Sequence, residues 1–399
     1  MKLLFVHERF GAWAGAEANV QWTADELGRR GHAVALLHGP GTGKGEEGWR
    51  ATFPERYPLP EARPMPAAQA TLRATLNAFH PDVVYLHKMS ELQVIETLAE
   101  ASVPVVRMVH DHDLYCLRSY KYHVFSRRIC TRPASWFCLF PCGAFLARNR
   151  AGGFPFRWVS YRAKRRELRC HRRFSRLVVA TRYMRAELLR NGFDARRIEI
   201  HAPVPRHAGA AAPSSFTDRN LVLYAGQIIR GKGVDVLLEA LARVRVPFEC
   251  VILGDGNHRT VCEALSRRLG LADRVHFHGF IPQAELEDYY RQASIMVLSS
   301  VWPEPFGAVG LEGMRHGLPV VAFDAGGVSE WLADGINGYL VPWMDRDGFA
   351  ARVEELLRDK SRARQMGGRG SQRVAEQYDF SRYVSGLESM FERVRAEAA

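Results

Sequence analysis

The sequence has no apolar run long enough to cross a membrane. Its first apolar stretch, Leu3–Val6, ends at once in His7, Glu8 and Arg9, so it is too short for a signal peptide. Cysteine is scarce, with 7 among 399 residues. An odd number of cysteines without a secretory signal favours reduced thiols over a disulfide framework. We therefore expect a cytoplasmic protein.

The chain also lacks two common nucleotide-site motifs. It has no Walker loop, and it has no Asp-x-Asp at a position expected for a metal-bound diphosphate. Acidic residues are outnumbered, 43 against 55 lysines and arginines, which gives a net charge of +12. This excess implies an anionic partner such as a nucleotide, a phospholipid headgroup or nucleic acid, and charge alone does not choose among them.

What the sequence does contain is an alternation of short β-rich runs and helical patterns, which is typical of parallel α/β sheets. The alternation breaks in a segment rich in Pro, Ala and Ser and then resumes. We predict a first domain over residues 1–203, a linker over 204–219 and a second domain over 220–378. A last amphipathic helix within 379–399 is predicted to cross back onto the first domain. Ligands of such sheets bind at the carboxyl ends of the strands.

Two glutamates flank a predicted strand-to-helix turn in the second domain. The apolar run Ile295–Leu298 predicts a buried strand, and a helix is predicted to start near Gly307, between Glu304 and Glu312. The free amide groups of a helix start attract a phosphate. The two carboxylates are then placed to accept hydrogen bonds from sugar and ribose hydroxyls. Alternatively, they only complement the helix dipole or are solvated.

A second turn, Gly226 to Gly233, follows the predicted strand Leu221–Ala225. Its glycines permit close backbone approach, and Arg230 and Lys232 supply positive charge for a diphosphate. A basic surface turn is the alternative explanation. In the first domain, Gly15 opens a long helix and is a candidate for phosphate approach, and His110 follows a strand as a candidate partner for a donor sugar.

The ordered set of motifs resembles the family 4 retaining glycosyltransferases of GT-B fold over nearly the whole chain. The motifs are Ala14-Gly15-Ala16-Glu17, His110-Asp111, Gly226 to Gly233, Gly254-Asp255-Gly256, Glu304-Pro305-Phe306-Gly307 through Glu312, and Gly326-Gly327-Val328-Ser329-Glu330. The resemblance implies an α/β fold with two doubly wound Rossmann-like domains facing each other across a cleft. The chain departs from the family at Gln227, where many relatives have arginine, and at Ala14, where a second glycine is usual.

The resemblance also implies a site. A UDP- or GDP-sugar donor is held mainly by the second domain, with Arg230 and Lys232 on its diphosphate, Glu312 on ribose and Glu304 on the sugar hydroxyls. His110 faces the sugar from the first domain. The catalytic set implied is His110, Glu304, Arg230 and Lys232. The donor-binding set implied is Gly15, Gly226, Arg230, Lys232, Phe306, Gly307, Ala308 and Glu312.

The implied activity is a retaining, metal-independent, hexosyltransferase-like glycosyl transfer to a glycan or lipid-linked acceptor in cell-surface polysaccharide or glycolipid synthesis. Same-face attack is favoured because no carboxylate clearly suits a double displacement. We expect no required cofactor, no metal and no nucleic-acid partner. The alternative is a non-catalytic nucleotide-sugar-binding or scaffold subunit of a glycan assembly complex, which the departures at Gln227 and Ala14 keep open.

Two further features stay open at this point. Cys116, Cys130, Cys138 and Cys142 fall in one loop-like segment and are either a structural metal site or partly buried thiols. The stretch Arg157 to Arg173 mixes arginines and aromatic residues. It is either a solvated helix or a surface for an anionic membrane, a nucleic acid or an acidic glycan. The membrane reading places the protein peripherally on the inner membrane face.

Overall fold

The computed structural model describes residues 1–11, 15–60, 66–123, 125–148, 156–206, 211–217 and 219–398. The chain forms two compact units. Unit 1 comprises Met1–Lys121, Thr131–Arg206 and Phe380–Ala399, and unit 2 comprises Tyr122–Cys130 and His207–Asp379.

Unit 1 is built on a parallel sheet of seven strands with helices along the chain between them. The strands of unit 1 are β1 (Lys2–His7), β2 (Ala33–His38), β3 (Glu55–Pro58), β4 (Val83–Leu86), β5 (Val105–Val109), the antiparallel pair β6 (Leu146–Arg148) and β7 (Phe156–Trp158), β8 (Arg176–Val179) and β9 (Ile198–Ile200). The helices of unit 1 are α1 (Gly15–Arg29), α2 (Glu46–Thr52), α3 (Pro66–Phe79), α4 (Leu92–Glu100), α5 (Tyr161–His171), α6 (Arg182–Arg190) and the last helix, Phe380–Ala398.

Unit 2 repeats this plan on a parallel sheet of six strands. Its strands are β10 (Leu221–Ala225), β11 (Glu249–Leu253), β12 (Val275–Gly279), β13 (Ile295–Leu298), β14 (Val320–Phe323) and β15 (Gly338–Val341). Its helices are α7 (Val234–Leu241), α8 (Arg259–Arg268), α9 (Gln283–Gln292), α10 (Val309–Arg315), α11 (Arg346–Arg358) and α12 (Lys360–Gln377), and the last helix of unit 1 is then α13.

The central strands are apolar because both faces of each sheet are covered. Every residue of β4, β5, β10, β13 and β14 is buried. Apart from Arg107 in β5, these strands are continuous apolar runs, which are typical of parallel sheets with helices on both faces. The two doubly wound α/β units predicted from the alternation are therefore confirmed.

The order of the strands in each sheet determines which loops lie next to each other at the carboxyl ends of the strands. The sheet of unit 1 runs β3-β2-β1-β4-β5-β8-β9, and that of unit 2 runs β12-β11-β10-β13-β14-β15. In both sheets the order reverses beside the first strand, between β1 and β4 and between β10 and β13. At such a switch point the loops leaving the two strands diverge to opposite faces and open a crevice. The loops after β10 and β13 are those with the basic and acidic motifs.

Two segments join a unit that is distant in sequence. Residues Tyr122–Cys130 cluster with unit 2, although the sequence analysis included them in the first domain, and Arg127 forms an ion pair with Asp235 at the start of α7. Helix α13 belongs to unit 1, where the Tyr383 hydroxyl donates to Asn19 Oδ1 at 3.1 Å and Arg30 pairs with Glu388 at 3.0 Å. Among the described residues, no helix is long and apolar enough to span a membrane.

Candidate active site

Glu304 is a buried carboxylate in the loop after β13. Three donors converge on its Oε1 atom: Lys232 Nζ at 2.7 Å, Trp302 Nε1 at 3.1 Å and the Ser300 hydroxyl. The residue is 3% exposed. Its Oε2 atom receives no hydrogen bond from any residue that the structure describes. The described residues therefore hold one carboxylate oxygen, Oε1, and donate no hydrogen bond to the other.

The charge of Glu304 is maintained by these neighbours. Burial acts to raise the pKa of Glu304, but the ammonium group of Lys232 and the hydrogen bonds from Lys232, Ser300 and Trp302 outweigh it. The pKa of Glu304 is therefore held below its ordinary value. At neutral pH the residue is an ionised acceptor.

The backbone of Glu304 is held by the loop after β14. Its amide N–H donates to the Ala325 carbonyl at 2.9 Å, and its carbonyl accepts from the Gly327 N–H at 2.7 Å. A side chain at Gly326, where φ is +75°, would lie 2.5 Å from the Glu304 carbonyl oxygen. Gly326 of the predicted Gly326-to-Glu330 motif therefore permits this close backbone approach.

Lys232 lies in a short 3₁₀ turn, Arg230–Lys232, in the loop after β10. Its Nζ atom is 5.4 Å from the centre of the Trp302 ring, and its carbonyl accepts from the Ser299 hydroxyl at 3.0 Å. Arg230 is half-buried in the same turn, whereas Gln227 is exposed. The loop therefore carries two cations, of which Lys232 contacts Glu304.

The loop after β11 supports the loop after β10 from behind. A Cβ atom on Gly254 would lie 1.9 Å from the Gly226 carbonyl oxygen, and one on Gly256 would lie 2.4 Å from the Ile228 carbonyl oxygen. The Ile228 N–H also donates to the Asp255 carbonyl at 2.9 Å. The Gly254-Asp255-Gly256 turn thus packs against the loop Gly226 to Gly233, called the glycine-rich loop below, and holds its backbone in place.

The helix that carries Glu312 begins later than predicted. The sequence indicated a start near Gly307, but α10 begins at Val309 and Glu312 lies in its first turn. The reason is the backbone of Gly307, whose φ of +80° is outside the helical region.

A buried tryptophan fixes this turn. Trp331 is fully buried, and its Nε1–H donates to the Phe306 carbonyl at 2.7 Å. Its ring packs against Gly310, where a Cβ atom would lie 2.2 Å from a ring carbon. Gly310 therefore allows α10 to sit close enough to Trp331 for the Phe306 turn to be held.

Glu312 is paired with a tyrosine from α9. The Tyr290 hydroxyl donates to Glu312 Oε2 at 2.9 Å, and the Tyr290 ring stacks on His316 with centroids 4.9 Å apart. Burial raises the pKa of Glu312, with Tyr290 and Arg315 acting in the opposite direction. Glu312 is half-buried.

The two predicted residues of unit 1 lie in different settings. His110 follows β5, is half-buried, and its Nε2 atom lies 2.9 Å from His87 Nδ1. Burial, followed by the charge of Arg107, lowers the pKa of His110 to about 3, so its imidazole is neutral. Gly15 is the exposed first residue of α1, and an added Cβ there would meet nothing within 4 Å. Ala14 is outside the described residues.

Sequence reasoning missed four residues that complete these contacts: Ser300, Trp302, Tyr290 and His87. Ser300 and Trp302 had a local signal, because polar donors four and two residues before Glu304 share its loop. Tyr290 and His87 had none, since each contact depends on the packing of elements that are distant in the sequence. The predicted residues of unit 2, in contrast, gather at the ends of neighbouring strands β10 and β13.

The four clustered cysteines show no metal geometry. The seven cysteines form no disulfide among the residues that the structure describes, and Cys116, Cys130, Cys138 and Cys142 are half-buried. Among the described residues, no group of three or more histidine, cysteine, aspartate or glutamate side chains is arranged to hold a metal ion.

Two family patterns match the chain, one on each side of the break at the linker. "Glycosyltransferase Family 4" matches residues 13–203, and "Glycosyl transferases group 1" matches residues 210–373. Among curated relatives, a D-inositol 3-phosphate glycosyltransferase from Xylanimonas cellulosilytica is 32% identical over 206 residues, which are 47% of this chain and 49% of the relative. The lipopolysaccharide core biosynthesis glycosyltransferase LpsE from Rhizobium meliloti is 32% identical over 161 residues, 40% of this chain and 46% of the relative. The chain thus spans about half the length of these relatives.

Solved structures with this fold match over nearly the whole chain. HepE from Anabaena, in complex with UDP and glucose, superposes with a TM-score of 0.73 at 18% identity, covering 98% of this chain and 100% of HepE. Sucrose-phosphate synthase from Thermosynechococcus elongatus superposes with a TM-score of 0.75 at 18% identity, covering 100% of both chains. The two family matches and this fold together show that the chain belongs to the family 4 glycosyltransferases of GT-B fold.

Proposed function

We propose that the chain is a retaining glycosyltransferase that transfers a sugar from a UDP- or GDP-sugar to a glycan or lipid-linked acceptor in cell-surface polysaccharide or glycolipid synthesis. The observation that carries the proposal is the ionised Glu304 beside Lys232 at the strand switch point of unit 2. Support comes from HepE, whose structures hold UDP, glucose and UDP-glucose, and from LpsE, which is named for lipopolysaccharide core synthesis.

Each predicted site residue of unit 2 has a role in this proposal. Lys232 and Arg230 neutralise the donor diphosphate, and Glu304 Oε2 accepts from hydroxyls of the donor sugar. Glu312 accepts from ribose hydroxyls, and Gly226 and the turn Phe306–Ala308 let the diphosphate approach the backbone. In unit 1, Gly15 leaves room for a phosphate and His110 hydrogen-bonds the sugar.

The chemistry follows from where charge develops. Breaking the bond between the anomeric carbon and the phosphate oxygen leaves negative charge on the diphosphate, and the fixed cations stabilise that charge as it forms. The acceptor hydroxyl attacks from the face that the diphosphate leaves, and a donor phosphate oxygen takes its proton. No step in this scheme requires a metal ion.

A turnover assay with a panel of UDP- and GDP-sugars tests the proposal. One donor is expected to be consumed, with retention at the anomeric centre by NMR and without inhibition by EDTA. Glu304→Ala and Lys232→Ala are expected to abolish turnover, whereas Glu285→Ala, an exposed glutamate on α9, leaves it intact. Thermal stabilisation by a nucleotide sugar without any turnover would instead favour a non-catalytic binding subunit.

We also propose that the protein lies in the cytoplasm and docks peripherally on the inner membrane face through a surface of unit 1. Three aromatic side chains there are largely exposed: Trp136 at 58%, Phe140 at 73% and Trp158 at 80%. Phe145 links two of them, with its ring centroid 6.2 Å from that of Phe140 and 6.0 Å from that of Trp158. Exposed tryptophan and phenylalanine side chains favour the lipid headgroup boundary.

Basic residues adjoin this aromatic surface. Helix α5 starts three residues after Trp158, and the Tyr161 hydroxyl donates to the Ala134 carbonyl at 3.3 Å, which ties the helix start to the segment before Trp136. Arg162, Arg165 and Arg169 are exposed on α5 and have no ion pair with any residue described here. Each basic residue near an anionic bilayer contributes about 1 kcal/mol to the free energy of membrane binding.

Flotation with vesicles distinguishes docking from a merely solvated helix. We expect binding to vesicles that contain phosphatidylglycerol and not to pure phosphatidylcholine. The pair Arg162→Glu and Arg165→Glu, or Phe140→Ser with Trp158→Ser, should abolish it. The matched pair Arg267→Glu and Arg268→Glu on α8 should not. Equal flotation of all variants, or none by the unmodified protein, would refute the docking proposal.

A further inference from the structure

Three histidines lie at the carboxyl ends of three adjacent strands in unit 1. His7 is the last residue of β1, His87 follows β4 and His110 follows β5. The His87 ring is nearly parallel to the Phe5 ring, with an interplanar angle of 12°, and nearly coplanar with the His110 ring, at 20° and with centroids 5.2 Å apart. His87 is fully buried. Its ring orientation is therefore set by its burial against Phe5 and by its edge contact with His110.

His87 and His110 share one hydrogen bond. The Nδ1 atom of His87 lies 2.9 Å from the Nε2 atom of His110. Burial lowers the pKa of both imidazoles, with Arg107 and His7 acting in the same direction, so both rings are neutral. Each ring then carries one proton, and only one of the two facing nitrogen atoms is the donor.

The surroundings of the other ring nitrogen of His87, Nε2, indicate which of the two facing nitrogen atoms is the donor. Its Nε2 atom is buried and has no hydrogen-bond partner in the described part of the chain. A proton there would create an orphaned buried N–H, which is rarer in folded proteins than an unsatisfied acceptor. The proton of His87 therefore lies on Nδ1 and is donated to His110 Nε2.

We propose that His87 is a positioning residue that fixes the tautomer of His110, so that His110 presents a protonated Nδ1 as a hydrogen-bond donor to a substrate oxygen. Nδ1 of His110 has no hydrogen bond within the described residues, which leaves that N–H available. A donor N–H suits a sugar hydroxyl oxygen, whereas a bare Nδ1 would suit a hydroxyl proton. The substrate role of His110 rests on the proposed function, but the tautomer does not.

Nitrogen-15 NMR of histidine-labelled protein tests the tautomer without any turnover. The His110 resonances, assigned by their loss in His110→Gln, should show a pyrrole-like Nδ1 and a pyridine-like Nε2. The opposite pattern, with a protonated Nε2, would overturn the inference. Because this measurement needs no substrate, it still decides the matter if the glycosyltransferase assignment fails.

Two variants of His87 test positioning against simple packing. His87→Phe keeps a ring between Phe5 and His110 but removes the donor, and the His110 tautomers should then mix. Turnover should fall about tenfold, as expected for the loss of one oriented hydrogen bond. His87→Asn places an amide N–H near the original Nδ1 and should restore the His110 pattern and most of the turnover. Unchanged His110 shifts and turnover in His87→Phe would refute the role.

Discussion

The Nζ atom of Lys232 lies 2.7 Å from Oε1 of Glu304, although 72 residues separate the two in the chain. The contact exists because β10 and β13 are hydrogen-bonded neighbours in parallel register, so the loops that leave their carboxyl ends start side by side. The pair therefore couples the glycine-rich loop to the turn before α10. A change at either residue should be felt by the other.

A double-mutant cycle on this pair should show that coupling. Lys232→Met leaves a buried carboxylate without its counter-charge, so we expect a loss of about 2 kcal/mol in the free energy of unfolding. Glu304→Gln should reduce the free energy of unfolding by less, because the amide oxygen of glutamine can still accept hydrogen bonds from Ser300 and Trp302. Urea denaturation of the single and double variants should give a coupling energy of about 1–3 kcal/mol. Strict additivity, like that expected for Lys232→Met combined with Arg267→Ala, would contradict the contact.

Donor affinity should depend on the ionisation of Glu312. Burial raises the pKa of Glu312, and its ionised form is the stronger acceptor for ribose hydroxyls because it is charged and carries no O–H. As the pH falls towards this raised pKa, protonation should weaken UDP binding. Calorimetric titration from pH 8 to 5 should show a rising Kd for the unmodified protein and a flatter, weaker profile for Glu312→Gln. Tyr290→Phe removes the internal donor and should change UDP affinity less than Glu312→Gln does.

The sequence predicted the strands around the site better than the turns. Ile295–Leu298 was predicted and is β13, because a strand buried on both faces must be apolar throughout. The start of α10 was placed two residues early, since the positive φ of Gly307 is not visible in a pattern of apolar residues. The contact between Tyr290 and Glu312 was invisible for a different reason. It depends on how α9 packs beside α10, and no periodicity records that.

Gly254→Ala should be far more damaging than an ordinary glycine substitution. The added Cβ would lie 1.9 Å from the Gly226 carbonyl oxygen, and φ is +136°. We expect a loss of more than about 3 kcal/mol in stability, because backbone contact and strain add. The matched control is Gly270→Ala, where φ is +68° but nothing lies within 4 Å, so only strain of about 1–2 kcal/mol is expected. Thermal unfolding of both variants measures the difference, and equal losses would show that the loops can separate.

Buried neutral histidines should make the protein sensitive to acid. Burial lowers the pKa values of His7, His87, His110 and His171, with that of His110 reaching about 3. Below pH ~6.5 these histidines are protonated in the unfolded chain but stay neutral in the folded protein. The free energy of unfolding therefore decreases as the pH falls below about 6.5. Asp113, whose pKa burial and Asp111 raise to about 6, acts in the opposite direction, because its folded form holds a proton that the unfolded form releases.

Burial also lowers the pKa values of His38 and His316 and raises those of Glu167 and Glu312. Six histidines with lowered pKa values against three carboxyls with raised ones give a net loss of stability on acidification. The urea midpoint should therefore decrease from pH 7 to pH 5. His171→Phe preserves the edge contact with Phe174 and loses the hydrogen bond to the Glu167 carbonyl, so its midpoint at pH 7 should be lower. The decrease of its urea midpoint from pH 7 to pH 5 should nevertheless be smaller, because the variant lacks one histidine that is protonated only in the unfolded chain. His276→Phe, at an exposed histidine of β12, should keep the original slope. A His171→Phe slope as steep as that of the unmodified chain would show that this imidazole is already protonated in the folded state.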